Sequence, residues 1–158
     1  MITIKGIQDE DFVNYKKPSM VIAFPHCTFK CEKECGKQVC QNGALAKAPN
    51  IEINENEVVQ RYLHNPITKS VICAGLEPID SFSDLIELIS ELRKFTDDEI
   101  VIFTGYYKDE ITDKIDILKR YKNIILKVGR YIPDQKPHKD ELLGVDLASD
   151  NQHAIKIS

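Results

Sequence analysis

The sequence predicts one α/β domain built on a mostly parallel sheet. Three observations carry that expectation. Short, continuous apolar runs alternate with stretches of helical periodicity, the pattern of strand–helix–strand units. The length of 158 residues suits one ordinary domain and falls well short of the roughly 250 that a complete eight-stranded β/α barrel takes. A hydrophobic fraction of 42% beside a charged fraction of 29% is the composition of a folded chain with a core.

The elements follow in order. Met20 to Phe24 reads as a buried strand that runs straight into His26 and the first cysteine. Residues 53–63 read as a helix, with Asn54 as N-cap and Glu57 three positions on, a capping-box arrangement. Lys69 to Ala74 is a strand closed by Gly75. The next helix is the clearest: Phe82, Leu85, Ile86, Leu88, Ile89, Leu92 and Phe95 follow the i, i+3, i+4, i+7 stripe, with Ser81 or Ser83 as its cap. Glu99 to Thr104 is a strand closed by Gly105, and Ile111, Ile115 and Leu118 mark a third helix. Asn123 to Val128 is a further strand before Gly129. Pro133 to Lys139 is polar and proline-bearing, hence a loop, and His153 to Ile157 forms a last strand. No internal repeat, low-complexity tract or linker interrupts this order.

Charge and composition narrow the function classes. The net charge of −4, with both signs interleaved, gives no electrostatic footprint for nucleic acid or an anionic membrane. Apolar runs of about five residues are far from the ~20 of a membrane span. The opening MITIKGIQDEDF lacks a cationic stretch followed by a long apolar region, so the expectation is a chain without a secretory leader. Five cysteines in such a chain point to a reducing compartment, the cytoplasm, where thiols stay free for metal or redox work.

Four of those cysteines, Cys27, Cys31, Cys35 and Cys40, fall within fourteen residues, while Cys73 lies in an apolar strand as a small core residue. Thiolates this dense repel one another and are costly to ionise together unless a metal neutralises them. Structural zinc usually shows two knuckles separated by a spacer, and here there is one compact cluster. Zinc held by four thiolates, or by three and His26, stays open. An iron–sulfur cluster fits better, because thiolates are its usual ligands, and three of the four suffice if one iron is left for a substrate. In parallel sheets ligands gather beyond the carboxyl ends of the strands. The cysteine segment, Gly75-Leu76-Glu77-Pro78 and Thr104-Gly105-Tyr106 all follow strands there.

On these residues the chain resembles the radical S-adenosylmethionine (radical SAM) superfamily, and within it the small activating proteins of anaerobic ribonucleotide reductase. Cys27-x3-Cys31 matches the first pair of a C-x3-C-x2-C loop, and Cys40-Gln41-Asn42 its third cysteine, with eight residues in place of two between them. Ala74 to Pro78 resembles the G-G-E-P turn, with Leu76 at the second glycine. Phe103 to Tyr106 resembles the T-G-Y strand end, Lys127 to Ile132 the segment that usually reads V-D-G-x-F/Y, and Ser149 to Gln152 the S-x-N-Q near the C-terminus. The ordered set runs through most of the chain.

The resemblance implies a single radical SAM-like domain over 1–158, a partial (β/α) barrel with its cluster loop at 27–42. It implies Cys27, Cys31 and Cys40 as ligands of a [4Fe–4S] cluster whose fourth iron binds SAM, with Cys35 as an extra thiol. Gly75, Glu77, Pro78 and Thr104 are the implied SAM-binding residues, Glu77 accepting charge-assisted hydrogen bonds from the SAM ammonium. The implied activity is reductive cleavage of SAM to methionine and a 5′-deoxyadenosyl radical, which takes a hydrogen from a glycine of a large glycyl radical enzyme. An electron donor such as flavodoxin or ferredoxin is the second implied partner. The other readings are a radical SAM enzyme with a different substrate, for the D-G-x-G-x-R-like stretch ahead of the cysteines is absent, and a non-catalytic iron–sulfur or zinc module.

Overall fold

The computed structural model describes residues 1–25 and 47–158. They form a mixed α/β domain around a six-stranded, mostly parallel sheet. Its strands are β2 (Gly6–Asp11), β3 (Ser19–Phe24), β5 (Ser70–Gly75), β6 (Glu99–Phe103), β7 (Ile124–Val128) and β10 (His153–Lys156), in the spatial order β10-β7-β6-β5-β3-β2. The four central strands are parallel, in register Ser19 with Ser70, Ser70 with Glu99 and Ile100 with Ile124. The two outer strands run antiparallel to their neighbours.

Three helices connect the parallel strands: α1 (Glu55–Leu63), α2 (Phe82–Arg93) and α3 (Thr112–Leu118). Each buries one stripe: Val58, Val59 and Tyr62; Leu85, Leu88, Ile89 and Leu92; Ile115 and Leu118. All three stripes meet the same sheet face, formed by Met20, Ile22, Val71, Cys73, Ile100, Ile102, Ile124 and Leu126. The alternate residues Ile72, Val101 and Ile125 point the other way, as a pleat of period two requires. There they meet Tyr15, Leu143 and Leu147. The helices therefore cover one face, and irregular chain with a small hairpin, β8 (His138–Asp140) and β9 (Val145–Leu147), covers the other. A second two-stranded sheet joins β1 (Ile2–Ile4) to β4 (Ile51–Ile53).

The patterned interior of the chain matches the expected elements, and the edges differ for identifiable reasons. Asn54 caps α1 by accepting from the Asn56 N–H at 2.8 Å, and the helix begins at Glu55; Ile53 pairs with Ile2 in β4. Phe95 falls beyond the end of α2 and is 51% exposed. A 3-10 turn, Pro78–Ser81, precedes α2, so its first turn is entered from that turn and Ser81 makes no side-chain cap bond. The stretch expected as a loop over 133–139 ends in β8, whose Asp140 carboxylate accepts from Leu143 N–H at 3.0 Å and Ala154 N–H at 2.9 Å.

Candidate metal and cofactor site

Cys27, Cys31 and Cys40, the expected cluster ligands, lie outside the described residues, as do Cys35 and His26. What is described is the frame from which that segment departs. The parallel strands all end on one side of the sheet, at Phe24, Gly75, Phe103 and Val128. Phe24, two residues ahead of His26, pairs with Gly75.

Gly75 is shaped by that neighbour. Its φ is +88°, and a Cβ built on it would lie 2.5 Å from the Phe24 nitrogen and 2.6 Å from Ala23 Cα. A glycine is required, both for the left-handed backbone and for the close approach of two strands. Leu76 follows, donating its N–H to the Phe24 carbonyl at 3.0 Å. Leu76 is not among the described non-glycine residues with positive φ, which are Asn123 and Asp134, so the turn holds a side chain where the related motif has a second glycine.

Glu77 and Pro78 complete the turn. Pro78 is buried at the first position of the 3-10 turn, where its missing N–H costs nothing. Glu77 is buried at 5% exposure. Its Oε1 accepts from Ile79 N–H at 3.1 Å and its Oε2 from Gly105 N–H at 2.8 Å. The Thr104 hydroxyl bonds to the same carboxylate. Burial pushes the Glu77 carboxyl up to about 7 against these three hydrogen bonds, and Asp80 adds like-charge repulsion. No cation pairs with Glu77 among the described residues. A carboxylate offers about four acceptor positions, and donors among the described residues meet three of them.

Thr104, expected with Glu77, does come to it. Its Oγ1 also accepts from Tyr106 N–H at 3.0 Å, the bond of a strand-end cap, and it is 2% exposed. Gly105 needs no glycine-only conformation, since a Cβ there would meet Glu77 Oε2 at 3.6 Å and Arg130 Cγ at 3.8 Å, ordinary contacts. Tyr106 turns toward the helix face and donates from its hydroxyl to Asp80 Oδ1 at 2.6 Å.

Sequence reasoning left Arg130, Glu110 and Tyr107 without roles, and the structure gathers them beside Gly105. Arg130 Nη1 donates to Glu110 Oε1 at 2.7 Å, and its guanidinium lies 4.5 Å from the centre of the Tyr107 ring. Asn151, noted only as part of the S-x-N-Q resemblance, donates through Nδ2 to the Tyr107 hydroxyl at 2.8 Å and the Arg130 carbonyl at 2.7 Å. An acid two residues ahead of a short helix and an arginine two residues past a strand end are common in solvated loops, so their pairing carried no sequence signal. Cys73 is buried among the core residues, and burial pushes its thiol up to about 12, which suits packing and not ligation.

The donor set fits an iron–sulfur cluster by its chemistry, four thiols within fourteen residues of sequence. The described turn fits a cationic group: a buried carboxylate that meets three donors and no cation among the described residues stabilises one that arrives desolvated. Residues 19–154 match the family model described as a 4Fe-4S single cluster domain, a family found in radical SAM-type proteins. A search of the curated proteins finds no match.

Proposed function

This chain belongs to the 4Fe-4S single cluster domain family, and on that premise we propose that it is a radical SAM enzyme that installs a glycyl radical on a large partner such as anaerobic ribonucleotide reductase. Cys27, Cys31 and Cys40 hold the [4Fe–4S] cluster in this reading, and Gly75, Glu77, Pro78 and Thr104 form the SAM turn. When bound, the reduced cluster supplies the electron that breaks the S–C5′ bond of SAM, leaving methionine and a 5′-deoxyadenosyl radical able to take a hydrogen atom from a glycine.

The chain's own residues position and exclude water. Glu77 accepts from the SAM ammonium at its remaining acceptor position, and its low-polarity surroundings strengthen that bond. Gly75 lets the turn lie against the strand that leads into the cysteines. Pro78 and the Ile79 N–H keep the carboxylate from swinging away. The electron comes from a small donor such as flavodoxin or ferredoxin, and the chemistry requires a reducing, anaerobic cytoplasm.

One observation carries the reading: the strand end ahead of the cysteines abuts the turn bearing a buried Glu77 that no cation meets among the described residues. Placement of all three helices on one sheet face supports the partial (β/α) barrel of the radical SAM type. The test is spectroscopic. Protein loaded anaerobically with iron and sulfide and then reduced is expected to give a cluster resonance that changes on adding SAM. A glycine-centred resonance should then appear in added anaerobic ribonucleotide reductase. A cluster signal indifferent to saturating SAM would rule the reading out.

A further inference from the structure

Gly105 is held from both sides. Its N–H donates to Glu77 Oε2 at 2.8 Å, and its carbonyl accepts from Arg130 Nη1 at 3.4 Å. The same Nη1 makes the 2.7 Å ion pair with Glu110, whose Oε1 also accepts from Tyr107 N–H at 2.8 Å. With its guanidinium over the Tyr107 ring, Arg130 touches three points of one loop: Gly105, Tyr107 and Glu110. It is 6% exposed, and its own carbonyl is tied down by Asn151.

Burying a guanidinium is costly unless its hydrogen bonds and charge are met, so a side chain sunk this far must be organised by its surroundings. Nη1 reaches carbonyl and carboxylate while the guanidinium plane lies over the ring, and the ammonium of lysine has no such plane. We propose that Arg130 is a positioning residue: it clamps residues 105–110 to the end of β7 and thereby holds the Gly105 N–H on Glu77.

Arg130 does not touch Glu77. Among the described residues, the groups that face that carboxylate are Asp80 and Ile79 N–H from its own turn, Thr104 just after β6, and Gly105 from the loop Arg130 clamps. The consequence for SAM affinity rests on the proposed function, whereas the clamp itself does not.

The test follows the titration of Glu77 in cluster-loaded, oxidised, full-length protein carrying side-chain ¹³C-glutamate, with Glu77→Gln assigning the resonance. In the wild type the midpoint lies near 7. In Arg130→Met the loosened Gly105 N–H withdraws a bond that favours the charged form, so the midpoint rises by at least about half a unit. Arg130→Lys should fall between the two, because it keeps the charge and loses the guanidinium plane over Tyr107. Mere loosening of the fold would broaden the resonance without this ordering. SAM affinity, read by equilibrium dialysis, should fall about tenfold in Arg130→Met, the scale of one charge-assisted hydrogen bond. Should Arg130→Met fail to fold, Glu110→Gln removes the paired charge with the arginine in place and is expected to shift Glu77 the same way. An unchanged midpoint in whichever of these variants folds overturns the clamp. A wild type that binds no SAM, with the midpoint still rising in the variant, leaves the clamp standing and removes the SAM reading.

Discussion

Gly75 ends β5 and Gly105 lies two residues past the end of neighbouring β6, yet the two respond differently to a methyl group. At Gly75 the added Cβ would sit 2.5 Å from a backbone nitrogen at φ +88°, and neither strand can retreat without breaking the ladder. Gly75→Ala is therefore expected to cost at least about 3 kcal/mol, the sum of left-handed strain and overpacking. Gly105→Ala adds ordinary contacts only and should change stability by less than about 1 kcal/mol. Urea midpoints of the two variants check the contrast. Glu77 makes a second residue-scale prediction. Its folded-state carboxyl titrates near 7, above its ordinary 4.5. The folded state thus holds this proton more tightly than the unfolded chain. The stability it contributes is fully present below about pH 4.5 and lost as pH rises through 7, at most about 3 kcal/mol. Wild type compared with Glu77→Gln should gain stability on acidification across that window. A difference independent of pH would show that Glu77 is not protonated in the fold.

At the scale of elements, the sheet's ends are sealed by residues whose jobs are invisible in a pattern of apolar periods. Asp140 joins the β8–β9 hairpin to β10 through two backbone N–H groups, at 8% exposure. Asp140→Ala leaves both donors unmet and is expected to cost roughly 2–3 kcal/mol, with amide exchange accelerated first in residues 138–147. Exchange unchanged there would show the hairpin to be held by Leu143 and Leu147 alone. The central strands and α2 were legible because Val71, Ile72 and Cys73, or Leu85, Leu88 and Leu92, bury continuously or at helical period. The short outer strands were not. Gly6–Asp11 reads GIQDED, a polar edge whose pairing is set by the neighbour β3. Ile51–Ile53 pairs with a segment nearly fifty residues away, and no local signal announces that.

Across the whole molecule, the two ends of the sheet divide their labour. At the amino ends of the parallel strands, the segment Asp11–Pro18 closes the fold: Asp11 caps Asn14, and buried Tyr15 donates to Glu99 at 2.7 Å. That stretch serves packing. At the carboxyl ends the turns at 75–78 and 104–107 interlock through Glu77, and this much of the site was legible because each turn follows an apolar strand and carries a glycine. The clamp of Arg130 was not, since it joins groups twenty residues apart in chain order and unrelated in pattern. The family match over 19–154 spans both the cysteine segment and this frame.

The most direct measurement of the central claim is anaerobic turnover with SAM and a chemical reductant, counting products. Wild-type protein carrying its cluster should form 5′-deoxyadenosine and methionine in equal amounts, Cys35→Ala should do the same, and Cys40→Ala should lose both the cluster and the products. An intact, reduced cluster that leaves SAM whole, or products that persist in Cys40→Ala and vanish in Cys35→Ala, would contradict the account.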